Sequence, residues 1–327
     1  MDASIEIIAE VHHHPGADRL DLARILGFQC VIEKGSYKGG EKVVYIRPDS
    51  LLPEVEWAEE YRKYSPNRIK AVKLRGEWSE GVIVPLHKLP AAIAELPVGS
   101  DVAEFIGVRH FEPPVPKELN AKRPLPFGIP KTDEERWENM IDKLPMGEPV
   151  DITLKIDGQS WSIYYNIPTD EFGILGRTLG YHHDTENPYS VHLHRTYKTL
   201  EREFKDYCIA AGKSLCLRGE SYGGGIQRAK NNPHGAANPG IAIFSCYLIE
   251  ERRYANKGDA FYFVNVCAAL QLPIVPILES HVPLTQELID YYSTGIEQVL
   301  GKPFEGVVVK HARGTFKIIN KIYDSRK

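Results

Sequence analysis

The chain has 327 residues, 43% hydrophobic and 26% charged, with a formal net charge of −4. That length suits two domains of ordinary globular composition, and no apolar run is long enough to cross a bilayer, so no membrane association is expected. A slightly acidic balance argues against a passive nucleic-acid coat protein, but not against an enzyme whose basic groups collect in one cleft.

The opening Met1-Asp2-Ala3-Ser4 has neither a basic nor an apolar leader region, so a cytoplasmic, intracellular chain is expected. Cys30, Cys208, Cys216, Cys246 and Cys267 are scattered without a Cys-x-x-Cys, and read as buried small hydrophobes in a reducing compartment. His12-His13-His14 ends the first expected strand; neighbours on a strand point to alternate faces and chelate poorly.

Residues 4 to 107 read as a β-rich module. Ile5 to Val11 is a strand, and Leu20 to Glu33 holds two apolar runs broken at Gly27. Lys42 to Arg47 is a strand stopped by Pro48, and Ile69 to Leu74 with Gly81 to Leu86 forms an expected hairpin. Short strands with this punctuation favour a small barrel. Pro113 to Pro116 and Arg123 to Pro126 form a linker that no helix or central strand accepts. Thr132 and Glu135 are spaced as a capping box, which predicts a short helix over Arg136 to Leu144. The expected division is residues 1–112 and 113–327. In the second part strands dominate, with helices at Leu193 to Ala211, Lys257 to Leu270 and Thr285 to Leu300; His182-His183-Asp184 is a loop.

Within this part Val150, Ile152 and Leu154 alternate with Asp151, Thr153 and Lys155, the period of a half-buried strand. Asp157-Gly158 then breaks it, and Trp161 to Tyr165 begins another β-rich run. Alone, Lys155-x-Asp157-Gly158 describes an ordinary hairpin with a solvated lysine. Later stretches change the balance: Leu217-Arg218-Gly219-Glu220 leading into Ser221-Tyr222-Gly223-Gly224-Gly225-Ile226-Gln227; Phe304-Glu305-Gly306 through Lys310; and Thr315-Phe316-Lys317-Ile318-Ile319-Asn320.

In that order and at those separations the residues resemble the motifs of covalent nucleotidyltransferases, the superfamily of polynucleotide ligases and mRNA capping enzymes. Residues 14–20 and Lys73-Leu74-Arg75-Gly76-x-x-Ser79-x-Gly81 also resemble the tRNA-binding OB modules appended to some aminoacyl-tRNA synthetases. An OB barrel can hold single strands by stacking and phosphate contacts. Arg68, Lys70, Lys73 and Arg75 could supply charge and Trp57, Tyr61 or Trp78 stacking; a solvated hairpin face with core aromatics remains the other reading.

Over nearly its whole length the chain is most similar to ATP-dependent RNA ligases with an N-terminal OB domain. Gly223 to Gln227 and an OB module preceding the catalytic part favour these over DNA ligases. The resemblance implies an α+β chain, with an N-terminal OB-fold β-barrel followed by a nucleotidyltransferase domain of antiparallel sheets with flanking helices. It implies joining of RNA 3′-hydroxyl and 5′-phosphate ends, such as those of a nicked duplex, by a monomer using ATP and magnesium or manganese. Lys155 would be the nucleophile that takes AMP, assisted by Lys310 and Lys317. Thr153, Leu154, Asp157, Gly158, Arg177, Glu220, Phe244 and Glu305 would complete the nucleotide site with those two lysines, with Phe244 against the adenine. Asp157, Glu220 and Glu305 would serve the metal. An amine attacks only when neutral, so Lys310, Lys317 and the cation are expected to lower the Lys155 pKa.

The chain departs from the family pattern at Ile319, where a second lysine is common; the next lysine is Lys321. Glu305 and Lys310 are five residues apart, which puts them on opposite faces unless Glu305 precedes the regular strand or a bulge intervenes. A capping-type guanylyltransferase and a non-catalytic RNA-binding protein are the alternatives. Thr153 does not reveal whether the base is adenine or guanine.

Overall fold

In a computed structural model, residues 1–111, 121–224, 226, 232–235, 237–294, 298–299 and 302–324 are described. The chain forms two compact units, Met1–Pro114 with Arg136–Leu144, and Val115–Glu135 with Pro145–Lys327. The linker prolines 113–116, and Gly225 and Gln227 of the glycine-rich stretch, lie outside the described residues. No helix among those residues is long and apolar enough to cross a membrane.

The first unit is β-rich, as its turn punctuation predicts. Ala3–Ile7, Lys42–Ile46 and Val82–Pro85 form one antiparallel sheet, and Glu10–His13, Leu20–Ile25 and Phe28–Glu33 another. The expected first strand breaks at Ile8-Ala9. There the Ile8 amide donates to the Glu41 carbonyl and the Ala9 amide to Arg24, so the chain passes from one sheet to the other. Buried Ile8, Ile25, Phe28, Val43 and Tyr45 fill one core, and Ile5, Val44, Ile46, Val84 and Ile106 another. The expected hairpin is tighter than predicted: Val72–Leu74 pairs with Glu77–Ser79 around Arg75-Gly76, while Val82–Pro85 joins Lys42–Ile46.

Arg136 to Leu144 is not a helix. Thr132, the expected cap, spends its hydroxyl on Ser160 at 2.8 Å. Arg136 is extended and its guanidinium donates to Asp49 at 2.8 Å, while Arg47 donates to Asn139 at 2.8 Å. These ties draw the segment into two short 3₁₀ turns, Trp137–Asn139 and Ile141–Lys143.

The second unit is built on two antiparallel sheets. One is seven-stranded, with Gln159–Asn166, Leu215–Tyr222 and Gly240–Leu248 at its centre. One face carries Trp161, Ile163, Leu217, Ile241 and Ile243 against the helices Leu200–Ala211 and Phe263–Ala269. Leu200, Phe204 and Cys208 recur at helical spacing and are buried, and Gly212 closes that helix in the left-handed conformation. The expected helix from Leu193 is two, because Thr196 to Thr199 interrupts it between Val191–Arg195 and Leu200–Ala211. The helix expected over Thr285 to Leu300 is shorter, Gln286–Thr294; Gln298–Val299 is instead a strand paired with Lys302–Pro303, and residues 295–297 and 300 lie outside the described residues.

The other sheet orders Gly314–Ile319, Gly306–His311, Pro149–Lys155 and Ile277–Pro283. Its register places Ile152 beside Val309 and Leu154 beside Val307, which in turn face Phe316 and Ile318. All six are buried and form the apolar face. Lys155, Thr153, Asp151, Lys310 and Lys317 therefore share the opposite face, because directly paired residues in a sheet point the same way.

Candidate active site

Lys155 ends its strand opposite Gly306. Glu305 precedes the regular strand Gly306–His311, and this resolves the parity problem. Gly306 has a φ of +152°, and a Cβ there would meet the Ile318 carbonyl oxygen at 2.2 Å. Only glycine lets the chain enter the sheet this way, and Glu305 is thereby turned toward Lys155, with Nζ and Oε2 2.8 Å apart. Gly158 is equally constrained: a Cβ would lie 2.3 Å from the Ser221 carbonyl oxygen and 2.8 Å from Glu220 Cγ. The turn after the lysine is thus packed directly on the strand that carries Glu220.

Asp157 is buried; its carbonyl accepts from Asn232 at 3.0 Å and its carboxylate from the Tyr323 hydroxyl. Thr153 is buried, its hydroxyl donating to the Val308 carbonyl at 3.3 Å, and Leu154 faces the apolar side. Tyr323 and Asn232 escaped sequence reasoning. Neither lies in a motif stretch, and only the fold brings a tyrosine 166 positions away onto Asp157.

The charges do not follow the sequence expectation. Burial pushes the Lys155 amine down, but Glu305, Glu220 and Asp157 more than reverse it and hold it above the ordinary lysine range. The group lowered is Lys310, to about 8, by burial. Lys310 is opposite Asp151, four strand positions from Lys155 and so about 13 Å along the strand. It donates to the Phe244 carbonyl at 2.9 Å and its ammonium lies 5.4 Å from the Phe263 ring centroid. Burial also raises the Glu220 carboxyl to about 8, opposed by Lys155 and reinforced by Glu305 and Asp157.

Phe244 sits where the register between Leu215–Tyr222 and Gly240–Leu248 slips, with Gly219 opposite Ile243 but Arg218 opposite Ser245. This bulge re-aims Phe244 out of the helix-covered core. With Lys310, Asp151, Tyr254, Tyr262 and Phe263 it lines a cavity of about 530 Å³. Lys317 and Arg177 meet on one carboxylate, Asp133, at 3.1 and 2.7 Å. The fold therefore gathers Lys155, Asp157, Glu220 and Glu305 at one place, Phe244 and Lys310 at a second, and Arg177 with Lys317 at a third.

Comparison with known proteins decides the family. The RNA ligase family profile matches residues 148–323. The chain belongs to the RNA ligase family. An OB-fold domain profile matches residues 2–86, so an N-terminal OB fold precedes the ligase region in this α+β chain. Comparison with curated proteins returns no match. Among solved structures, a lysine-to-alanine mutant of Naegleria gruberi RNA ligase with ATP and Mn is similar at a TM-score of 0.84 and 26% identity, covering 100% of this chain and 99% of that one. The Naegleria gruberi enzyme with PPi matches at 0.82 and 27%, covering 98% and 97%. A lysine-to-methionine mutant with AMP and Mn matches at 0.84 and 26%, covering 100% and 98%.

Proposed function

We propose that this RNA ligase is ATP-dependent and works through a covalent lysyl-AMP. The observation that carries this is Lys155, held 2.8 Å from Glu305 at the strand end, with Glu220 and Asp157 beside it. Five of the residues mutated in the Naegleria gruberi structures support the assignment: a lysine, an aspartate two positions on, two glutamates and a later lysine. Lys155, Asp157, Glu220, Glu305 and Lys317 reproduce those types in that order.

In the first step the Lys155 lone pair attacks the α-phosphorus of ATP. The N–P bond forms and the bond to pyrophosphate breaks; the ammonium loses one proton to expose its lone pair and a second as the phosphoramidate forms, keeping the third on nitrogen. Arg177 and Lys317 are the cations for the phosphates, and Lys310 holds the Phe244 strand beside the adenine. Thr153, Leu154 and Gly158 shape the base side and the turn. AMP then passes to an RNA 5′-phosphate, and a 3′-hydroxyl displaces it to leave a 3′–5′ phosphodiester. Anhydride activation replaces a poor leaving group with a good one, and the protein mainly aligns the ends.

The acidic set fits magnesium or manganese, which are hard cations that take carboxylate oxygens. Burial leaves Glu220 in need of a positive partner. Among the described residues no three side chains form a ready cage, as expected of an ion that keeps waters and leans on substrate phosphates. Asp157, Glu220 and Glu305 would hold it, and its charge would release Lys155 from the carboxylates and neutralise the phosphates.

We assign residues 1–112 to the OB domain and 113–327 to catalysis, with the enzyme acting as a cytoplasmic monomer. In the OB domain Lys73, 5.7 Å from the Trp78 ring centroid, and Arg75 are the candidates for RNA contact. Arg68 is tied to Asp49 at 3.0 Å, and Trp57 and Tyr61 pack on the core.

Incubation with ATP or GTP labelled at the α-phosphate tests the reading. An adduct with ATP, chased into RNA at a 5′-phosphate end, is expected. An adduct with GTP alone would make the chain a guanylyltransferase, and efficient sealing of an all-DNA nick would remove the RNA requirement.

A further inference from the structure

Arg177 follows the strand Glu171–Leu175 of the seven-stranded sheet, whereas Lys317 lies on the Gly314–Ile319 strand of the other sheet. Nothing local to either strand brings the two cations together. They converge because Asp133, in the irregular segment after Pro130, offers one oxygen to each: Oδ2 to the guanidinium at 2.7 Å and Oδ1 to the ammonium at 3.1 Å. Lys317 is only 17% exposed and Asp133 28%, so these are not loose surface pairs. Asp133 also lines the 530 Å³ cavity with Phe244 and Lys310.

Two cations held this close repel each other unless an anion stands between them. A carboxylate and a phosphate meet such a pair with the same chemistry, two oxygens with negative charge, but the phosphate brings more of both. We propose that Asp133 is a built-in phosphate surrogate. Its carboxylate holds Arg177 and Lys317 in the nucleotide-free protein and is exchanged for a phosphate group of the incoming nucleotide. The proposal rests on the reading of these cations as phosphate ligands. It makes Asp133 an affinity-setting residue: nucleotide binding must break two ion pairs before it forms its own. Partly shielded pairs of this kind contribute up to about 1 kcal/mol together, which is about fivefold in affinity.

The test uses the full chain with Asp133→Asn, which removes the charge and keeps the shape, and Asp133→Glu, which keeps the charge. Equilibrium binding of inorganic pyrophosphate is measured by calorimetry at matched salt, beside the ATP dependence of self-labelling. Asp133→Asn is expected to bind pyrophosphate about fivefold more tightly and to raise kcat/KM for self-labelling by lowering KM, with Asp133→Glu close to the parent. Unchanged or weaker pyrophosphate binding by Asp133→Asn overturns the proposal, as does a fall in kcat at constant KM, which would make Asp133 a positioning residue. If the parent chain never takes label from ATP, the ligase reading fails, whereas the pyrophosphate comparison still decides the role of Asp133.

Discussion

Lys155 and Lys310 stand on the same face of one pair of strands, four positions apart, and their surroundings drive them in opposite directions. At the Lys155 end Glu305, Glu220 and Asp157 outweigh burial, so the amine stays protonated in the resting protein. At the Lys310 end burial among Phe244, Tyr262 and Phe263 lowers the amine to about 8, because Asp151 and Glu134 act on it too weakly to compensate. Asp151 is itself engaged by Lys257 at 2.7 Å, by Ser280 and by the His281 amide. Burial acts on both lysines alike, and the number of facing carboxylates sets the outcome. The lysine we propose as nucleophile is therefore held charged by its carboxylates, while the readily neutralised lysine faces the cavity.

The largest effect should come from Lys155→Ala, which removes the amine that Glu305, Glu220 and Asp157 hold. Labelling by ATP should be abolished, with the thermal midpoint close to that of the parent; retained label on the variant would show the nucleophile is elsewhere. Next is Lys310→Met. A lysine whose folded pKa lies near 8, against 10.5 in the free side chain, is a charge the fold tolerates at a cost at neutral pH. The unfolded chain binds the extra proton between those values, so stability rises with pH across that window as the cost is relieved. Lys310→Met should thus stabilise the protein by about 1–3 kcal/mol at pH 7, with the gain shrinking from pH 8 toward 10.5. A gain that does not vary with pH in denaturant titrations would contradict the burial account.

Glu305→Gln sharpens the other end. Without its nearest carboxylate the Lys155 amine should fall in pKa, and its reaction with an amine-selective reagent at pH 8 should rise about tenfold, one pKa unit. Peptide mapping by mass spectrometry reads this without ATP; unchanged labelling would mean Glu220 and Asp157 alone hold the proton. The smallest effect is expected from Tyr323→Phe, which deletes the hydroxyl donated to Asp157. Loss of about 1 kcal/mol, a severalfold slower self-labelling, is expected, and an unchanged rate would leave Tyr323 as packing alone.

The positions of these residues, though not their charge states, were partly legible in the chain itself. The alternation from Val150 to Lys155 and the break at Asp157-Gly158 placed a lysine at a strand end, and the five-residue spacing of Glu305 and Lys310 required Glu305 to precede the regular strand or a bulge to intervene. Phe244, expected against the adenine, lines the cavity, but its route there, a slipped register, leaves no mark in the alternation of Ile241 to Phe244. The expectation that Lys310 and Lys317 lower the Lys155 pKa failed because it counted lysines by motif, whereas register puts Lys310 far along the strand and Lys317 onto Asp133. Thr132 and Glu135 matched a capping pattern, yet tertiary partners at Ser160, Asp49 and Arg47 outweighed a helix of fewer than ten residues.

The strand Pro149–Lys155 has both of its neighbours far downstream, Ile277–Pro283 on one edge and Gly306–His311 on the other. On a growing chain, then, a run rich in Val, Ile and Leu waits with both edges open while more than a hundred residues follow it. Contacts this distant in sequence close late, and an open apolar strand is what other chains pair with. Substitutions between 277 and 319 should therefore reveal themselves first as poor recovery of soluble protein, before any rate is measured.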